Sequence, residues 1–94
     1  MLILISYDII ENKKRTKIMK ILEEYGKRVQ KSVFECDVDE KERLDIYSRL
    51  NVIMMKNKEE ADSLRFYMIC EKCLAKTKII GAGKIEKREE YLIV

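Results

Sequence analysis

The chain predicts an α+β sandwich, a sheet covered on one face by amphipathic helices, and three observations point to it. The sequence has 94 residues, room for one small domain spanning 1–94 and no second. Its apolar residues switch between a period of two and a helical period in the order strand, helix, strand, helix, strand. It has no internal repeat, no low-complexity segment and no apolar run long enough to span a bilayer as a helix, so nothing suggests an array or a membrane protein. A chain of this size buries only about 60–65% of the surface its unfolded form exposes. Pairing with a second copy is the expected source of further stability, so a homodimer is expected.

The first strand is Leu2-Ile3-Leu4-Ile5-Ser6-Tyr7, an aliphatic run without alternation that predicts a central strand covered on both faces. Asp8 ends it. Asn12 is a candidate helix N-cap, and Ile18, Ile21, Leu22 and Tyr25 then recur at helical spacing until Gly26 offers a left-handed stop, a helix of about 13 residues. From Val29 to Val38 the period falls to two, with Gln30, Ser32, Phe34, Cys36 and Val38 on one face and Lys31, Val33, Glu35 and Asp37 on the other. Asp39 can cap a second helix, with Leu44, Tyr47 and Leu50 as its apolar stripe and Ile46 and Ile53 beside it.

Residues 56–60 form a solvated loop in this reading, and Ser63 to Cys70 alternates as an edge or half-buried strand. A short strand at Thr77–Ile80 precedes the turn Gly81-Ala82-Gly83. The apolar tail Tyr91-Leu92-Ile93-Val94 predicts an extra C-terminal strand, about 89–94, added to a sheet edge, with that of a partner subunit as one candidate. The whole is the outline of a ferredoxin-like sandwich.

Charged residues make up 39% of the chain, and Pro, His and Trp are absent, a composition that leans thermophilic. The net charge of +3 hides an asymmetry: residues 12–31 carry eight cations and two anions, residues 32–62 five cations and nine anions. The first of these segments attracts phosphate. Cys36, Cys70 and Cys73 occur without a signal peptide, which implies a cytoplasmic protein with reduced thiols. Cys70-x-x-Cys73 has the spacing of a zinc or redox motif, but the chain offers one further thiol and no His for the four ligands of a structural zinc. Unliganded thiols at a strand end, a metal shared across a dimer, and a disulfide all stay open.

Asp8 is the candidate catalytic residue and metal ligand. An Asp here can simply terminate a strand. Near a twofold axis, however, Asp8 from two copies could share one Mg²⁺ or Mn²⁺. Lys13, Lys14, Arg15, Lys17 and Lys20 form the candidate phosphate-binding set; the alternative is a solvated lysine face. Cations in a helix's first turn oppose the macrodipole by roughly a few tenths of a kcal/mol each, yet they favour an anion bound there. Without His the usual general base is missing, so activation of water would fall to the metal.

Tyr7-Asp8-Ile9 at a strand end, Arg15 and Lys17 on the next helix, and the string Gly26-x-Arg28-x-Gln30-x-Ser32-Val33-Phe34-Glu35 together resemble the CRISPR-associated Cas2 proteins over essentially the whole chain. The resemblance implies a ferredoxin-like βαββαβ homodimer. In it, segment 28–38 is bent or broken into two strands, the last strand joins the partner's sheet, and Asp8 holds a divalent metal at the interface. It also implies a metal-dependent endonuclease acting on RNA or double-stranded DNA, and a central dimer for the integrase Cas1 during spacer capture. By position, Tyr7, Arg15, Lys17, Arg28 and Phe34 line the same cleft. Lys17 stands where some relatives carry Arg, which keeps the charge but weakens bidentate phosphate contact. From the residues alone, packing is the main role expected of Tyr7 and Phe34.

Two other functions compete with the nuclease. One is a non-catalytic scaffold that binds duplex DNA along its basic helices. The other is a ferredoxin-like RNA-binding or regulatory module, for which Phe66 and Tyr67 are the only stacking candidates and point to opposite faces.

Overall fold

In the computed structural model, described for residues 1–56 and 59–85, strand β1 (Leu2–Asp8) is followed by helix α1 (Asn12–Glu23), strands β2 (Gly26–Gln30) and β3 (Val33–Asp37), helix α2 (Glu40–Met55), strand β4 (Ser63–Ile69) and the short helix α3 (Glu71–Lys76). The strands form one sheet in the order β2-β3-β1-β4, every neighbouring pair antiparallel. This is the ferredoxin-like βαββαβ arrangement, with β1 central and β4 at an edge as the sequence predicts. No helix among the described residues is long and apolar enough to cross a membrane.

Register explains the core. Ile3 stands between Cys36 and Met68, Ile5 between Phe34 and Phe66, and Tyr7 beside Leu64, so these side chains share one face. Ile18 and Leu22 of α1 and Ile46 and Leu50 of α2 cover that face, and all four are at most 1% exposed. The opposite face carries Leu4, Ser6, Val33 and Tyr67 and stays partly open, so β1 is fully covered on one face only. Leu2, on this second face, is buried at the end of the sheet, where it shares an apolar recess with Ile69 and Leu74 of α3.

Several local expectations change. Glu11, not Asn12, is the N-cap of α1, without a side-chain cap, while the Asn12 side chain accepts from Arg15. Glu24 ends α1 in a helical conformation and Gly26 opens β2. Gly26 is required for proximity rather than for a left-handed turn: a Cβ there would lie 2.2 Å from the Glu35 carbonyl oxygen and 2.5 Å from the Cys36 sulfur. The single period-two segment from Val29 is two strands joined at Lys31-Ser32, with a register shift between Arg28 and Gln30.

Asp39 caps α2 in a full capping box: the Glu42 N–H donates to its carboxylate at 2.8 Å, and its own N–H donates to Glu42 at 3.1 Å. The buried stripe of α2 is Ile46 and Leu50, whereas Leu44 and Tyr47 are 54% and 58% exposed. No strand forms at Thr77–Ile80; α3 precedes it instead. Residues 57 and 58 of the expected loop, and the whole of the expected C-terminal strand at about 89–94, lie outside the described residues.

Candidate active site cleft

Two short connections wall a cleft at the C-terminal end of β1. One is the loop after Asp8 leading into α1; the other is the Lys31-Ser32 turn. Tyr7 ties β1 to that turn through its N–H, which donates to the Ser32 carbonyl at 3.0 Å, and its hydroxyl, which donates to the Lys31 carbonyl at 3.4 Å. The cleft has a volume of about 450 Å³, and Asp8, Arg15, Arg28, Lys31, Thr16 and Ser32 are among its lining residues. Asp8 is exposed, and among the described lining residues it alone carries a carboxylate.

Arg15 is held in place rather than left to swing. Its guanidinium donates to the Ile9 carbonyl at 2.7 Å and to the Asn12 side chain, so it braces the backbone immediately after Asp8. Arg28, exposed on β2, reaches the Met19 sulfur at 3.5 Å across the cleft floor. From the far side, Asp62 clamps the same loop. One of its oxygens accepts the Ile10 N–H at 3.0 Å and the other accepts Lys14 at 2.8 Å, with side chains only 4% (Lys14) and 1% (Asp62) exposed. The Lys14 ammonium, then the Ile10 N–H, hold the Asp62 carboxyl below the usual carboxylate range.

The structure therefore divides the predicted residues. Tyr7, Asp8, Arg15 and Arg28 meet at one cleft. Phe34 does not line it: the ring is fully buried and packs 6.3 Å from Tyr7, which agrees with the packing role expected of both aromatics. Lys14 leaves the phosphate-binding set, because burial against Asp62 makes it a structural cation. Lys13, Lys17 and Lys20, at i, i+4 and i+7, are exposed along one face of α1, outside the cleft lining. Thr16, Lys31 and Ser32 are the polar cleft residues that sequence reasoning missed, and Met19 is an apolar one. Lys31-Ser32 was hidden by the apparent continuity of the strand, whereas Thr16 could have been found one helical turn after Asn12.

A ferredoxin-like domain with a carboxylate set among cations at a strand end is the class of protein that this geometry defines. The chain belongs to the CRISPR-associated Cas2 family: the family described as CRISPR associated protein Cas2 matches residues 1–77. It is similar to "CRISPR-associated endoribonuclease Cas2 1" of Chloroflexus aurantiacus, 45% identical over 83 residues, covering 88% of this chain and 87% of the relative. It is also 37% identical to "CRISPR-associated endonuclease Cas2" of Halalkalibacterium halodurans, covering 99% of each. Among solved structures, Streptococcus pyogenes Cas2 superposes with a TM-score of 0.70 at 35% identity, covering 86% of this chain and 100% of that one. A chain of a partial Cas6-RT-Cas1–Cas2 complex does so with a TM-score of 0.71 at 30% identity, covering 84% and 83%.

Proposed function

We propose that the protein is a metal-dependent endonuclease of the spacer-acquisition step. It acts as a homodimer on RNA or duplex DNA phosphodiesters and docks the integrase Cas1. The single observation that carries this reading is the cleft in which Asp8, the one carboxylate among the described lining residues, stands with Arg15, Arg28 and Lys31. The donor chemistry suits Mg²⁺ or Mn²⁺, since Asp8, Thr16 and Ser32 offer hard oxygens and the described cleft lining includes no thiol. Among the described residues no group of three or more His, Cys, Asp and Glu gathers to hold a metal. Mg²⁺ needs only one or two carboxylates and keeps several waters.

Asp8 shares its side of β1 with Leu4 and Ser6, the partly open sheet face, so apposing that face in two copies brings two Asp8 side chains toward one axis. Asp8 would hold the ion and Arg28 and Lys31 the phosphate, while Arg15 fixes the loop between them. A divalent ion bound there supplies a lowered water pKa and stabilises charge on the attacked phosphate.

The exposed row Lys13, Lys17 and Lys20 supports a second reading, a DNA-bridging scaffold, because it offers phosphate-backbone contacts outside the cleft lining. Labelled single-stranded RNA and duplex DNA incubated with wild type and Asp8→Asn, with Mg²⁺, Mn²⁺ or EDTA, separate the two. Metal-dependent cutting lost in Asp8→Asn with unchanged Tm supports the nuclease. No cutting by wild type under any of these conditions defeats it and leaves the scaffold.

A further inference from the structure

The exposed cysteine pair lies at the other end of the sheet. β1 pairs Asp8 with Ser63 at one end and Leu2 with Ile69 at the other, so Cys70 begins about 20 Å from the cleft at roughly 3.3 Å per residue. Cys70 precedes α3, and its sulfur accepts the Cys73 N–H at 3.4 Å. That bond sets the Cys70 sulfur against the backbone of Cys73 across the first turn of α3. Both residues are exposed and free, whereas Cys36 is fully buried.

We propose that Cys70 and Cys73 are a reversible oxidation site, a dithiol that closes to an intramolecular disulfide on reaction with a low-molecular-weight disulfide. The cleft does not use them, and the bond from the Cys73 N–H to the Cys70 sulfur holds the two residues together at the start of α3. The hydrogen bond from the Cys73 N–H stabilises the Cys70 thiolate and lowers its pKa, while the neighbouring Cys70 sulfur raises that of Cys73. Cys70 is therefore the attacking sulfur.

Its thiolate displaces one thiolate from the incoming disulfide and forms a mixed disulfide. Cys73 then gives its proton to water, attacks the Cys70 sulfur and releases the second thiolate. The dithiol loses two electrons and the small disulfide gains them. Cys36 cannot compete: burial pushes its thiol up to about 12.

The test uses the full chain equilibrated in glutathione buffers of graded oxidation, then alkylated and weighed intact. Two of the three thiols should vanish together without adding glutathione mass, and Cys36 should be alkylated only after unfolding. Cys73→Ser should stop at a glutathione adduct on Cys70. Three thiols retained across the whole series would overturn the proposal, and so would oxidised product that links separate chains on a non-reducing gel. Cys70→Ser alters nothing in the cleft, so this result is independent of the nuclease assay.

Discussion

At the scale of single residues, the cleft depends on groups that never touch a substrate. Asp62 anchors the loop after Asp8, and its depressed pKa gives a signed prediction. A carboxylate whose folded pKa lies below its unfolded value of about 3.9 stabilises the fold fully above that pH, and the contribution is lost as pH falls through the folded value. Asp62→Asn should therefore lower Tm by a constant amount above about pH 5, and the gap from wild type should close in acid. Thermal scans from pH 3 to 7 check this, and a gap that widens in acid refutes it. Nothing in the sequence hints at the partnership, because Asp62 and Lys14 are 48 residues apart and each looks like an ordinary surface charge. Asp8 was legible for the opposite reason: a lone carboxylate closing an apolar strand stands out from its neighbours in the chain.

Elements were legible where one local interaction decides them and misread where two compete. The capping box of α2 depends on Asp39 and Glu42 alone, so its start was readable. Asp39→Ala should cost about 1 kcal/mol in urea unfolding. The end of α1 was misplaced because glycine signals both a left-handed stop and a close approach, and only the paired strand reveals which. Gly26→Ala should destabilise by about 1–3 kcal/mol or more by forcing β2 off β3, since its Cβ would overlap the Glu35 carbonyl. A loss below about 0.5 kcal/mol would mean that β2 moves freely. The stripe of α2 was right at Leu50 and wrong at Leu44 and Tyr47, because these two fit helical periodicity with Leu50 as well as Ile46 does, and only the sheet's position selects between them. A tyrosine remains useful at the surface all the same: Tyr25 donates to Asp45 and lies under Arg49, which grips Glu24 at 2.9 and 3.1 Å and ties α1 to α2.

For the whole molecule, element order was enough for the outline of a ferredoxin-like sandwich, since alternating periods leave few ways to cover one sheet, whereas the division of residues 28–38 into β2 and β3 was implied only by the family resemblance. What burial does to individual charges was not readable, and it divides the basic helix into a structural Lys14 and a solvated row. Duplex binding should show the division. Replacing Lys13, Lys17 and Lys20 with Gln should flatten the dependence of log K on log salt by up to about 0.9 for each phosphate no longer neutralised, whereas Lys14→Met should lower Tm and leave the slope unchanged. Fluorescence anisotropy over a salt series distinguishes them. The Asp62 clamp also sets a schedule for the growing polypeptide. The carboxylate loop is translated early, but the residue that pins it enters only with β4, after α2 has been made. A ribosome carrying an unfinished chain therefore displays the acidic residue before its loop is clamped, and a truncated product ending before residue 62 keeps Asp8 and the Arg15 brace but not the Asp62 clamp. Fragments of the chain thus lack the finished cleft, which reaches its final shape only when nearly the whole sheet is in place.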